Sequence, residues 1–314
     1  MSRETLPADQ PIYQHPLAYL LGLEGIALFR AFSGEYDEDF TLARIAQTRR
    51  LLDSADELGA GGFAAPISAA DGYDSWAPYY DEPGNGLIDA EQPIVWDILN
   101  SLPVGTAVDA ACGTGRHAAH LVELGHHVIG VDSSPGMLTV ARPKLPEVTF
   151  HLAELHQMPI PDDHADVVVC ALALTHVPDL TVALAEFARI LKPGGHLVLS
   201  DSRGLMPGAR HYPVVKAGPD GRPGYLPNWI HQTGDYLRAA LPLGLLLRAC
   251  AEPVNEADYV DKTGRPPKRP PLPGHTPSDL PPNIWKLHPF APTATNAAYR
   301  GIPHLIVWHF QLTG

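Results

Sequence analysis

The chain has 314 residues, 45% of them hydrophobic and 18% charged, with a formal net charge of −13. That is enough apolar material for one large core, or for a core and a smaller lobe. The acidic balance argues against nucleic acid as partner, because such binders carry a dense basic face, and here Lys268-Arg269 among prolines is the nearest approach to one.

The N-terminus, Met1-Ser2-Arg3-Glu4-Thr5, shows no apolar leader. Leu17 to Phe32 is strongly apolar, but it contains Glu24 and Arg30 and is too short to span a bilayer. No membrane partner is expected. Cys112, Cys170 and Cys250 each fall in or just after an expected strand. They read as small buried thiols, neither a disulfide framework nor a metal set, so a reducing, cytoplasmic setting is expected.

In chain order, Leu17 to Phe32 reads as a buried helix weakened by Gly22 and Gly25. Tyr36 to Leu58 reads as a second, with Glu38 and Asp39 at its positive dipole end and a stripe of Phe40, Leu42, Ile45, Leu51 and Leu52. Residues 1–92 are expected to form a helical N-terminal lid or cap. Its two helices either cover the substrate side or pair with a second copy, making a homo-oligomer. Tyr73-Asp74-Ser75-Trp76-Ala77-Pro78-Tyr79-Tyr80-Asp81 follows, then an amphipathic helix from Glu91 to Leu102.

The stretch around which the chain is organised is Val108-Asp109-Ala110-Ala111-Cys112-Gly113-Thr114-Gly115-Arg116-His117. It reads as a buried strand, a glycine turn and a helix. Gly113 and Gly115 lack a Cβ, so the turn can be tight and a ligand can lie against backbone. Val128 to Asp132 reads as the next strand, ending in a carboxylate placed to grip two ribose hydroxyls. The spacing Gly113-x-Gly115-x-x-Ala118 with Asp132 also fits a dinucleotide fingerprint. Asp109 favours another ligand: its charge opposes a pyrophosphate and suits an ammonium and a sulfonium.

Alternating strands and helices continue, which implies a parallel, doubly wound sheet. Ser134-Pro135 starts a helix carrying Met137. Further strands are expected at Val148–Leu152, Asp166–Ala171, His196–Ser200, Leu245–Cys250 and Ile302–Leu312, with helices at Asp179–Leu191 and Asp235–Leu241. Two long connections interrupt the pattern, at about 203–232, with Arg210-His211-Tyr212, and about 253–301, which is dense in proline. The core is thus expected over 93–314.

These motifs resemble the class I S-adenosylmethionine-dependent methyltransferases, whose first motif runs acid-x-x-x-Gly-x-Gly. The resemblance covers roughly residues 93–202 and includes Met158-Pro159-Ile160-Pro161-Asp162 and the Lys192-Pro193-Gly194-Gly195 turn. It implies an α/β fold: a doubly wound, seven-stranded Rossmann-like sheet with the last strand antiparallel. It implies S-adenosyl-L-methionine as cofactor, held by Asp109, Ala110, Gly113, Gly115, Asp132, Ser133, Met137, Glu154, Leu155 and Ala171. The Tyr73–Asp81 segment resembles one that folds over the cofactor in small-molecule members, with Tyr80 as its contact.

An in-line methyl transfer needs alignment and exclusion of water, and a hydroxyl acceptor also needs a base. His176, His211, His288 and Tyr80 are the candidates in that role, with His231 beside them. No carboxylate cluster suggests a metal, so none is expected. The leading expectation is a methyltransferase of a small, natural-product-like acceptor. The alternatives are a cyclase or isomerase on the same fold, a macromolecule methyltransferase and a nicotinamide oxidoreductase.

Overall fold

The structure, a computed structural model, describes residues 10–83, 85–203, 211, 213–217, 221–254 and 284–314. Arg210, Tyr212 and most of the proline-dense connection lie outside the described residues. In chain order the elements are β1 (Ile12–Gln14), α1 (Pro16–Phe32), α2 (Glu38–Asp53), β2 (Gly62–Pro66), α3 (Ala69–Trp76), α4 (Gly86–Asn100) and β3 (Thr106–Ala110). There follow α5 (Arg116–Glu123), β4 (His127–Asp132), α6 (Pro135–Lys144), β5 (Thr149–Leu152), β6 (Ala165–Ala171), α7 (Leu180–Ile190) and β7 (Leu191–Ser202). The last are β8 (Val214–Ala217), β9 (Pro223–Leu226), α8 (Thr233–Ala240), β10 (Leu245–Ala251), α9 (Ile284–Leu287), α10 (Pro292–Tyr299) and β11 (Leu305–Leu312).

The chain divides into two units. The division does not fall at residue 92, as the sequence suggested: the change comes between Ile67 and Ser68, so the Tyr73–Asp81 segment and α4 belong to the core unit. The first unit combines residues before Ser68 with Val214–Tyr225 and the described parts of Val254–Pro303. It is not purely helical. Beside α1, α2 and α10, packed through Leu20, Leu23, Ala27, Leu51, Ala294 and Ala298, it holds a small sheet in the order β1-β2-β9-β8. Strands this short and glycine-rich carry no alternation that reads as a sheet. The expected second helix also stops at Asp53, and Ala55–Leu58 continues as a 3-10 turn.

The core unit carries the seven-stranded sheet, ordered β10-β11-β7-β6-β3-β4-β5. β3 to β7 pair in parallel, and β11 runs antiparallel to both β7 and β10. The central strands are apolar on both faces: Ala107, Val108, Val167, Val168, Val169, Leu197 and Val198 are at most 1% exposed. Val95 and Leu99 of α4 with Leu121 of α5 cover one face, and Leu184 and Phe187 of α7 with Tyr236 of α8 cover the other. β10 is one of the two edge strands, and there Cys250 is exposed and not buried as expected. Residues 246–250 are exposed without alternation, so this strand is not closed over on its faces like the central ones.

Candidate active site

The carboxyl ends of β3, β4, β6 and β7 come out side by side, which places the crevice of a doubly wound sheet. After β3 the backbone enters the left-handed region at Ala111 (φ 59°) and again at Gly113 (φ 55°) and Gly115 (φ 91°). The Cys112 N–H holds the turn to the Val131 carbonyl at 2.9 Å. Gly115 is favoured there by its φ of 91°, and an added Cβ would also push the end of the Leu145 side chain, 2.8 Å away. At Gly113 the nearest atom to an added Cβ is Tyr80 Cε1 at 4.0 Å, which leaves a slot between bare backbone and the edge of an aromatic ring.

Two carboxylates brace this turn. Asp132, at the end of β4, accepts the Gly113 N–H at 2.7 Å through Oδ2 and the Ser134 N–H at 2.8 Å through Oδ1. Burial nonetheless pushes its carboxyl above the ordinary value, and nearby Asp74 and Glu154 add to that. Asp109 is 1% exposed and accepts the Ala118 N–H at 2.8 Å, with its carboxyl pushed up to about 6 by burial. This corrects the expected contact role for Asp109. Its oxygen satisfies a bare amide in the first turn of α5, so it shapes the turn from beneath.

Behind the turn is a buried network that the sequence did not reveal. Glu91 of α4 has no exposed surface. It takes Arg116 Nη1 at 2.8 Å, His117 Nε2 at 3.1 Å and the Ser200 hydroxyl at 3.0 Å. Burial alone would raise its carboxyl, but these partners outweigh burial and hold it below its ordinary value.

The Tyr73–Asp81 segment is pinned by its two aspartates. Asp74 Oδ1 accepts the Ser134 hydroxyl and the Gly136 N–H, the latter at 2.7 Å, at the start of α6. Asp81 accepts the Thr114 hydroxyl at 2.6 Å and pairs with Lys144. Tyr73, Trp76 and Tyr80 form an aromatic cluster in which Tyr80 meets both other rings edge-to-face, with Trp76 and Tyr80 centroids 4.9 Å apart. Burial pushes the Tyr80 phenol up to about 12 and the Tyr73 phenol higher still. A cavity of about 390 Å³ adjoins Tyr80, lined by Ile88, Thr114, Arg116, Lys144 and Leu145 among others.

Beyond β6 the chain again takes a left-handed residue, Leu172 (φ 56°), before the short turn Leu174–His176. His176 Nδ1 lies 3.0 Å from the Pro227 carbonyl oxygen and Nε2 lies 3.0 Å from the Tyr73 hydroxyl. A carbonyl only accepts, so these partners assign the proton to Nδ1, and the Tyr73 hydroxyl donates to Nε2. The turn is held from three directions. Trp229 N–H donates to the Thr175 carbonyl at 2.7 Å, and His231 Nε2 reaches the Leu174 and Val177 carbonyls at 3.1 and 2.9 Å. Asp201, at the end of β7, bonds the Thr175 backbone and takes the Tyr236 hydroxyl at 2.6 Å; burial pushes it up to about 7.

The expected site residues separate into those the crevice gathers and those it does not. Gly113, Gly115, Asp132, Tyr80 and His176 converge there. Ser133 and Ala171 are half-buried at the strand ends, and Leu155 is half-buried beside an exposed Glu154. Ala110 and Met137 are fully packed, with Met137 at 1% exposure, so neither side chain offers a ligand contact. His211 Nδ1 donates to the Asn228 carbonyl at 2.9 Å, and His231 is a buried brace. His288 belongs to the first unit, with Nε2 2.7 Å from the Tyr19 hydroxyl, and burial pushes its imidazole down to about 4. Asp74, Asp201 and Glu91 were missed. Only Asp74 carried a signal, through its repeat in the Tyr-Asp pairs of 73–81.

The fold and crevice define a doubly wound α/β domain with a carboxylate-braced glycine turn at the carboxyl ends of its strands. Residues 108–199 match the family model described as a methyltransferase domain. The chain is 34% identical over 137 residues to malonyl-[acyl-carrier protein] O-methyltransferase of Yersinia pestis, covering 44% of this chain and 48% of that enzyme. It is 31% identical over 141 residues to demethylmenaquinone methyltransferase of Renibacterium salmoninarum, covering 43% and 59%. It thus spans about half the length of the curated relatives it matches.

Among solved structures, PH0226 of Pyrococcus horikoshii superposes with a TM-score of 0.50 at 17% identity, covering 77% of this chain and 98% of that one. The DhpI–SAH complex gives 0.50 at 20%, covering 77% and 93%. These are likenesses of fold. Residues 108–199 thus carry a methyltransferase domain on the class I fold, and the cofactor that such a domain implies is S-adenosylmethionine.

The residues present suit that group. Asp132 is a desolvated carboxylate with acceptor capacity left for two hydroxyl donors, and the surrounding acids suit a cation and oppose a pyrophosphate.

Proposed function

We propose that this protein transfers the methyl group of S-adenosylmethionine to a small, natural-product-like organic acceptor without a metal. The observation that carries this reading is Asp132: it anchors Gly113 and Ser134 by their amides at the end of β4, and each of its oxygens keeps a second lone pair for a ligand hydroxyl. The cofactor supplies an electrophilic methyl group on a good leaving group. The chain's own part is to align and dry the site. Asp132 grips the ribose, the bare backbone at Gly113 lets the cofactor lie close, and Tyr80 walls the site beside it.

The connection from Pro227 to His231 braces the His176 turn, and this supports an acceptor pocket built by the insertion. The two matched relatives carry the names of different acceptors, so the shared core does not select the acceptor. Among the described residues no group of three His, Cys, Asp or Glu side chains stands together as metal ligands. No helix among them is long and apolar enough to cross a membrane. Titration calorimetry tests the reading directly. S-adenosylhomocysteine binds and NAD(H) does not; the reverse result overturns the proposal.

A further inference from the structure

Resting on that reading, we propose that Tyr73 is the catalytic proton acceptor, with His176 behind it, and that the acceptor group is therefore a hydroxyl. The Tyr73 hydroxyl donates to His176 Nε2 at 3.0 Å, and the Pro227 carbonyl, 3.0 Å from Nδ1, fixes the tautomer that leaves Nε2 basic. The ring of His176 stands edge-on to Tyr73, with centroids 5.4 Å apart. Tyr73 is half-buried and touches Trp76 and Tyr80. The other charged groups acting on it are the carboxylates of Asp132 and Asp201. The phenol thus meets the His176 turn that follows β6, at the carboxyl end of the sheet.

Burial, with lesser help from nearby Asp132 and Asp201, keeps that phenol protonated, so a standing phenolate is not the base. A phenol between a hydroxyl acceptor and a basic nitrogen takes one proton as it gives up its own. As the new O–CH₃ bond forms and the S–CH₃ bond breaks, the acceptor's proton passes to the Tyr73 oxygen, and the Tyr73 proton passes to Nε2. The positive charge of the sulfonium ends on the imidazole, whose Nδ1–H remains on Pro227. Water later removes the proton. A neutral amine or an electron-rich carbon does not need its proton removed before or during attack, so this pair serves oxygen.

The tests use the intact protein. Calorimetry with S-adenosylhomocysteine comes first: no binding overturns the methyltransferase reading, whereas tight binding by both wild type and Tyr73→Phe leaves the pair as the question. Wild type with S-adenosylmethionine is then offered 4-methylphenol, 4-nitrophenol, aniline and indole.

The expected products are aryl methyl ethers. Tyr73→Phe loses about 100-fold with 4-methylphenol but little with 4-nitrophenol under alkaline conditions, where that probe is already ionised. His176→Asn behaves the same way, losing about 100-fold with 4-methylphenol and little with ionised 4-nitrophenol. Equal losses with both phenols, or methyl on nitrogen or carbon alone, overturn the proposal. If no probe reacts, ¹⁵N-histidine NMR of the S-adenosylhomocysteine complex decides. A bare Nε2 whose signal moves in Tyr73→Phe supports the pair, and a proton on Nε2 overturns it.

Discussion

The turn after β3 and the turn after β6 face the same crevice and leave their strands in the same way. Each starts with a non-glycine residue in the left-handed region, Ala111 in one and Leu172 in the other. They are held differently. The first is fastened by carboxylates near it in sequence, through Asp109 to the Ala118 amide and Asp132 to the Gly113 amide. The second is fastened by residues from a later insertion, Pro227, Trp229 and His231, and by Asp201 at the end of β7. The first turn is built to hold backbone still against a ligand, and the second is built to aim an imidazole. One turn of the crevice can thus be braced by a local motif, while the other is braced over long range.

The largest expected effect sharpens the view that the first turn also leans on a buried network. Glu91→Ala leaves Arg116 facing the interior without its carboxylate and costs about 3 kcal/mol of stability, read as a lower Tm and denaturation midpoint. A cost below about 1 kcal/mol would show that the turn stands alone.

Asp132→Ala comes next. Loss of charge-assisted bonds to the ligand weakens S-adenosylhomocysteine by about 1–3 kcal/mol in calorimetry, while a change in the second turn, such as Trp229→Ala, leaves that affinity within a few-fold.

Proton linkage then separates the two regions. Asp109 titrates at about 6 and Asp201 at about 7 in the folded chain, both above the ordinary 3.8. The folded state therefore binds more protons than the unfolded one across that window. Stability is fully present below about 4 and declines as pH rises through about 7. Asp201→Asn flattens the upper part of that decline in denaturation curves and leaves the part due to Asp109.

The smallest effect is at the strand ends. Ala111→Gly relieves a left-handed alanine and raises stability by at most about 1 kcal/mol. Leu172→Gly gives no such gain, because it also removes a half-buried side chain.

The core sheet was legible because burial on two faces leaves a continuous apolar run, as in Val167-Val168-Val169, and because glycine turns follow such runs. The Gly113–Gly115 bend and Asp132 were legible for the same reason: the turn, its acid and its helix lie within one strand-helix-strand repeat. The role of Asp109 was misread, since spacing gives a carboxylate's place in the chain but not the direction in which it points. His288 was chosen because it lies in an aromatic stretch of the second insertion, and position along the chain does not give the contacts it makes with Tyr19 and Tyr299. The small sheet of the first unit pairs residues near 12 and 64 with residues near 216 and 225, too short and too far apart to leave a period.

By itself the amino-acid sequence determined the doubly wound sheet, the cofactor turn and the acid that closes it, because each depends on periodicity and on backbone freedom within a short stretch. The tertiary structure alone decided which histidine meets which tyrosine, which carboxylates are buried braces and where the chain changes unit. Those outcomes depend on contacts between distant segments, and a hydrogen bond's partner is set by geometry that no local pattern encodes.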